Sequence, residues 1–247
     1  MQKIHPKILL ICSRARKPAE SPVNSEYALR FSEAMDIPLE SFHTIFTPDE
    51  PLPKDVHEDA VIIGGSKHSV YEKLDWIPEL ENFVRKVVDS DKPFLGVCFG
   101  HQIIAQALGG QVERAPDGPE IGIVDISLVQ NDKLFIGVEP TFRIGTFHQD
   151  LVTTVPTSAC VLASNDLYTS QALSYGDRVR TVQFHPEFTS QTFQEIIDEH
   201  AADLIRKGLF NSPTAMQEVL ARISNENFES FGQQIARNFY QKFILDI

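Results

Sequence analysis

Pro93-Phe-Leu-Gly-Val-Cys98-Phe-Gly-His-Gln102 is the stretch whose reading decides the fold. A short apolar run, as expected for a buried strand, leads directly into Cys98, and a helical pattern starts at once behind it. Strand, one residue, helix is the layout of a nucleophile elbow, in which a sharp turn lifts one side chain above the carboxyl edge of a sheet. Gly96 and Gly100 flank the cysteine where a larger side chain would collide with so tight a turn. The helix N-terminus sets unpaired N–H groups near the sulfur, which favours negative charge there. The plain alternative is a small core cysteine. A Gly-x-Cys-x-Gly turn between strand and helix makes that the weaker reading for Cys98. Cys12 and Cys160 sit in apolar runs without such glycines, and core packing is the expectation for both.

Outward from this turn the chain alternates. Lys7–Cys12 and Ala60–Gly65 read as buried strands, the second running into a glycine turn. Tyr27, Ala28, Phe31, Ala34 and Met35 recur at helical spacing after Asn24, and Trp76–Ser90 is amphipathic through Leu80, Phe83, Val84, Val87 and Val88. Gln102–Leu108 is helical up to Gly109-Gly110. Strands alternating with helices imply a mostly parallel central sheet flanked by helices, an α/β fold. Between Ile121 and Phe184 the runs become strand-like and joined by turns, with Tyr175-Gly176-Asp177 as a hairpin tip, so an antiparallel portion is expected there. Past Phe188 the chain turns helical. Stripes run through Phe193, Ile196, Ile197, Leu204 and Ile205, then Met216, Val219, Leu220 and Ile223, then Phe228, Phe231, Ile235, Phe239 and Phe243. The expected organisation is a catalytic domain over 1–189 and a C-terminal helical extension over 190–247 packed on it. A homodimer surface is the alternative use of the aromatic last stripe.

A cysteine nucleophile needs a histidine to hold and return a proton, and a third group to orient it. Thr181–Phe184 is a strand leading into His185-Pro186-Glu187. Proline ends the ladder, so His185 lies at a strand end, where α/β sites are built. Glu187, two residues on, returns to the same face and can fix the imidazole tautomer. Attack on an amide carbonyl also needs N–H donors for the oxyanion. The backbone N–H of Phe99 is one candidate, and Gly64-Gly65, at the end of the neighbouring strand, can supply the other.

The bulk composition sets bounds. With 247 residues the chain can form one large α/β domain, alone or with an appendage. Its net charge of -12 and lack of a basic stripe argue against a nucleic-acid partner. The longest N-terminal apolar run, Ile8–Cys12, is too short for a signal segment or membrane span. Three widely spaced cysteines give neither a full disulfide framework nor a CxxC metal or redox pattern, so a cytoplasmic, reduced protein without a metal or cofactor is expected.

Taken together, GVCFGHQ, QFHPEF and the upstream VIIGGS resemble the class I glutamine amidotransferase domain that feeds ammonia to synthases such as GMP synthetase. The resemblance covers about Ile8 to Phe188 and implies a flavodoxin-like sheet. It implies that Cys98 attacks the γ-amide of glutamine to give a γ-glutamyl thioester and ammonia, with His185 as proton carrier and Glu187 holding it. Gly65 and Phe99 would form the oxyanion hole, and Gln102 would hold the amino-acid end of the substrate. Thr146-Phe-His-Gln-Asp150 is similar to the family's Ser-His-Gly-Asp segment lining the same pocket, which brings in His148; Gln149 replaces the usual glycine. Gly65-Ser-Lys-His-Ser-Val-Tyr71 is similar to GGPxSVY, with Lys67 and His68 as departures; ordinary surface variation is the preferred reading, and a cation that serves a modified substrate preference is the alternative. Three functions remain open at this point: a glutaminase serving a separate ammonia-accepting synthase, a free-standing γ-glutamyl hydrolase, and a non-catalytic binding protein. The family prior leans to the first, and the intact triad argues against the third.

Overall fold

The computed structural model describes residues 5–225 and 228–247. Strands β1 (Ile8–Cys12), β2 (Phe42–Phe46), β3 (Ala60–Ile63) and β4 (Phe94–Val97) lie in one sheet with β6 (Glu120–Leu128), β7 (Thr141–His148), β9 (Ala159–Ser164), β10 (Ala172–Tyr175) and β11 (Val179–Val182). The spatial order is β2-β1-β3-β4-β11-β10-β9-β6-β7. From β2 to β11 all neighbours are parallel. From β11 outward to β7 all are antiparallel, so the antiparallel portion expected after residue 121 matches the parallel part in extent. A separate two-stranded ribbon pairs β5 (Gln111–Arg114) with β8 (Asp150–Thr154).

Among the parallel strands, β1, β3 and β4 are buried on both faces, and that is why they read as unbroken apolar runs. Ile8, Leu10 and Cys12 of β1 point into one layer with α1 (Glu26–Met35) and α6 (Glu229–Phe239). Leu9 and Ile11 point into the other, with α2 (Trp76–Asp89) and α3 (Phe99–Ala107). Helix α1 opens one residue later than the sequence suggests, because Ser25 caps it by accepting the Ala28 N–H.

The C-terminal segment holds α4 (Ser190–Arg206), α5 (Pro213–Asn225) and α6, which runs on into a π-helical turn at Tyr240–Ile244. Phe228, Ile235, Phe239 and Phe243 are buried within the chain's own cores, and Phe231 is partly so. The aromatic stripe is therefore used for packing onto the body of the same chain. Helix α5 lies on β6 and α4, with Met216 and Leu220 meeting Ile197, Leu204 and Ile121.

Cys12 is buried as expected, but Cys160 is exposed. The run around Cys160 is a strand buried mainly at Leu162 and Ala163, and the cysteine falls in its more open N-terminal half. Among the described residues no helix is long and apolar enough to cross a membrane.

Candidate active site

Three neighbouring strands end at one place. Strand β4 carries Cys98 at its carboxyl end, β3 on one side runs into Gly64-Gly65, and β11 on the other runs towards His185. The Cys98 N–H donates to the Val182 carbonyl (2.9 Å), so the elbow is pinned to β11. Cys98 has φ 53° and ψ -102°, a left-handed backbone that a non-glycine residue adopts at a cost of ~1–3 kcal/mol. Close approach explains the flanking glycines. A Cβ on Gly100 would collide with the Ile63 carbonyl oxygen, and one on Gly96 would come within 2.6 Å of the Gly100 oxygen.

His185 Nδ1–H donates to Glu187 Oε1 over 2.8 Å, and both side chains are buried. With Nδ1 engaged, the contact of the ring with the Cys98 thiol falls to Nε2. The imidazole stacks on Phe188, with ring centroids 3.8 Å apart and planes 12° from parallel. Its main-chain N–H donates to the Gly145 carbonyl (2.9 Å). Burial pulls the His185 pKa down, but the charges of Glu187 and Cys98 outweigh it and raise the pKa to about 10. The Glu187 Oε2 atom is buried without a hydrogen-bond partner, which leaves its charge undiverted beside the ring. His101, next in the motif, behaves oppositely. Burial, helped by His148, lowers its pKa to about 3, and its Nδ1 meets Thr181 Oγ1 at 2.8 Å. It is a neutral packing residue.

Gly65 faces this pair: a Cβ there would sit 3.0 Å from His185 Cε1 and 3.8 Å from Cys98 Cβ. The Phe99 N–H lies in the first turn of α3, where helix geometry leaves it without an internal acceptor. Gly65 thus lies beside Cys98 and His185, and the Phe99 N–H directly follows the cysteine in the chain. The Cys98 thiol also lies 3.7 Å from the Phe147 carbonyl oxygen.

Gln102 and His148 converge on one atom. Gln102 Nε2–H donates to the Asp150 carbonyl (2.8 Å) and to Gln183 Oε1 (3.0 Å), and His148 Nδ1 lies 3.0 Å from the same carbonyl. Nε2 of His148 lies 2.9 Å from Glu120 Oε2, so both its ring nitrogens face protein oxygens. Glu120 also accepts from Asn165 and Gln171, and these contacts hold its carboxyl below the usual range against burial. The Asp150 carboxylate accepts from Ser69 Oγ (2.5 Å) and Tyr71 OH (2.8 Å), which ties the loop after Gly65 to the β7–β8 corner. Of the two departures in that loop, Lys67 is exposed and His68 pairs with Glu72.

Sequence reading does not single out Glu120, Phe188 or Tyr27 as site residues. Glu120 is one acid at the start of an apolar strand, and nothing local marks its burial. Tyr27 reads as one more member of a helix face, although a tyrosine on a packed face carries a hydroxyl that needs a partner. Among the described residues no cluster of His, Cys, Asp and Glu is arranged to hold a metal ion.

The class-I glutamine amidotransferase family matches residues 35–204. Gamma-glutamyl peptidase 4 of Arabidopsis thaliana is 34% identical over 199 residues, covering 78% of this chain and 77% of that protein. Three further gamma-glutamyl peptidases of the same plant match over 59%, 62% and 62% of their lengths. A glutamine-hydrolyzing GMP synthase subunit of Sulfolobus acidocaldarius is 34% identical over 57% of this chain and 73% of its own length. In structure, a glutamine amidotransferase from Thermotoga maritima superimposes with a TM-score of 0.75 at 21% identity, covering 98% of this chain and 99% of that one. The fold is shared at that distance, and the sequence matches go further: the chain belongs to the class I glutamine amidotransferase family.

Proposed function

We propose that this protein is a cysteine hydrolase that cleaves γ-glutamyl amide bonds through a γ-glutamyl thioester on Cys98. The observation that carries the reading is the buried His185–Glu187 pair set against Cys98 at the end of the central strand. In this mechanism the Cys98 sulfur attacks the γ-carbonyl carbon, and the carbonyl oxygen takes up the negative charge. The Gly65 and Phe99 N–H groups donate to that oxygen. As the C–N bond breaks, His185 gives its proton to the leaving nitrogen. It then takes a proton from water, the hydroxide attacks the thioester, and glutamate leaves while the thiolate re-forms. Glu187 keeps the ring oriented throughout and stabilises it in the steps where it carries the proton. Gln102 and His148, joined at the Asp150 carbonyl, shape the wall that receives the amino-acid end of the substrate.

For the substrate, the chain's match to a γ-glutamyl peptidase over most of both lengths supports a free-standing γ-glutamyl hydrolase, acting on compounds with a substituent on the γ-nitrogen. This departs from the leaning towards free glutamine that the motifs alone suggest. Glutamine hydrolysis for a separate synthase is the second reading, favoured by the likeness to a glutamine-hydrolyzing subunit of GMP synthase. Three cysteines with no disulfide suit a reducing, cytoplasmic setting for either. A panel of glutamine, γ-glutamyl dipeptides and glutathione, with ammonia and glutamate both followed, separates them. Unaided turnover of γ-glutamyl peptides with glutamine barely touched supports the first reading. Glutamine turnover that rises with an added synthase supports the second, and glutamate from none of them refutes both.

A further inference from the structure

Tyr27, on the third position counted from the Ser25 cap of α1, has no part in the chemical steps above, yet it touches the oxyanion loop. Its hydroxyl donates to the Gly65 carbonyl over 3.2 Å. Its ring edge closes on Gly64, where a Cβ would come within 2.9 Å of Tyr27 Cδ1. The same hydroxyl lies 3.7 Å from the place a Gly65 Cβ would occupy, so it stands beside the ring of His185 and the base of Cys98.

The tyrosine is itself held. The Arg14 and Arg30 guanidinium carbons lie over its ring, 5.4 and 5.8 Å from the centroid. Arg14 is locked by a two-pronged ion pair with Glu20, and Arg30 reaches Glu195 on α4 at 3.7 Å. Burial and the neighbouring Cys12 push the phenol well above its ordinary range, so it remains an O–H donor at any working pH.

The rest of the loop is tied elsewhere. Ser66 Oγ donates to the Ser13 carbonyl (2.6 Å), and Ser69 and Tyr71 donate to Asp150. Among the described residues, Tyr27 is the side chain that hydrogen-bonds Gly65 itself. Two consecutive glycines leave the backbone free to rotate about Gly65. An oxyanion donor accelerates the reaction only when it is already aimed at the place where charge develops.

We propose that Tyr27 is a positioning residue for the reaction: by binding the Gly65 carbonyl it fixes the backbone whose N–H serves the oxyanion. This rests on the reading of Cys98 as nucleophile and Gly65 as oxyanion donor. It adds that the donor is held from α1 by this chain's own side chain, with no partner protein needed to set it.

The test uses Tyr27→Phe in the full chain, which keeps the ring against Gly64 and removes the hydroxyl alone. Two reagents label Cys98 by different demands. Iodoacetamide needs only the activated sulfur. A glutamine-like diazoketone (6-diazo-5-oxonorleucine) must also place its carbonyl in the oxyanion site. The variant should react with the diazoketone about tenfold more slowly than wild type, a fraction of the loss expected on deleting such a donor outright. Its iodoacetamide rate and thermal midpoint should be unchanged, and kcat for the best γ-glutamyl substrate should fall in parallel at constant KM. An unchanged ratio of the two labelling rates overturns the proposal, and so does an equal fall in both, which would place Tyr27 on the Cys98–His185 pair or on folding. If wild-type Cys98 takes iodoacetamide but never the diazoketone, the γ-glutamyl reading fails and this inference falls with it.

Discussion

Replacing Glu187 with glutamine tests the electrostatics of the site with almost no change of shape. The amide oxygen can still accept from His185 Nδ1–H across the present 2.8 Å, so ring orientation survives. What disappears is a negative charge beside a ring whose side chain is 5% exposed, from a carboxylate side chain that is 0% exposed. For charges about 4 Å apart at an effective dielectric of about 20, that interaction is about 4 kcal/mol. The same energy corresponds to about three pH units in the titration of the ring. In the wild-type protein the imidazolium is held until pH rises to about 10, so turnover should persist at alkaline pH and decline there. In Glu187→Gln the alkaline limb should move down by about three pH units. At neutral pH kcat/KM should drop about 10²- to 10³-fold, within the worth of general acid–base catalysis. The assay is glutamate release from a γ-glutamyl substrate from pH 6 to 11, with iodoacetamide labelling of Cys98 over the same range. A limb that stays near its wild-type pH, with turnover almost unchanged, would refute the assignment of Glu187 as the charge partner.

The other predictions follow from the same contacts. His185→Ala should be about as damaging as loss of the cysteine, because members of such a triad act as a unit; a variant whose Cys98 reacts with a γ-glutamyl electrophile at the wild-type rate would contradict it. His185 has a folded-state pKa raised from 6.5 to about 10, so its ion pair contributes full stability below pH 6.5 and loses it as pH rises to about 10. Urea midpoints should fall across that window in wild type, and His185→Ala should lack this component; identical slopes in the two proteins would count against the pair. Lys67→Ala, on the exposed part of the loop after Gly65, should change the ranking of γ-glutamyl peptides relative to glutamine by about two- to fivefold, the scale of one exposed ion contact. An unchanged ranking would make Lys67 ordinary surface.

Legibility differs from one region to another, for physical reasons. The strands β1, β3 and β4 are buried on both faces, so their residues are apolar without interruption and can be read directly, whereas β11 is as deeply buried although Arg180 and Thr181 interrupt it. β2 escapes notice because His43 is exposed and Thr44 breaks the run between two proline-bearing segments. β5, β7 and β8 are hidden for another reason. Gln111–Arg114 buries one residue of four, and Thr141–His148 mixes arginine, glycine and histidine into a half-buried strand. Their pairing comes from distant partners that no local pattern reveals. Cys98, His185 and Glu187 are legible because each sits in a local motif, at a strand end with glycine or proline beside it. The groups around them come from unconnected elements. Phe188 stacks on the imidazole, Glu120 reaches His148 and Tyr27 reaches Gly65 only once the chain is folded. Composition alone does not separate buried Cys12 from exposed Cys160, since both lie in apolar runs; β1 is buried along its whole length, whereas β9 is buried only at Leu162 and Ala163.

The central claim is that Cys98 forms the acyl-enzyme, and rapid-quench mass analysis of the peptide that contains it tests this most directly. The wild-type protein mixed with a γ-glutamyl substrate and quenched in acid should carry one glutamyl acyl group on the Pro93–Gln102 segment, at Cys98. The adduct should disappear on treatment with hydroxylamine, and Cys98→Ala should show neither adduct nor turnover while unfolding like wild type. Sustained glutamate release by Cys98→Ala, once contaminating activity is removed, or a glutamyl group found on any other residue, would contradict the account.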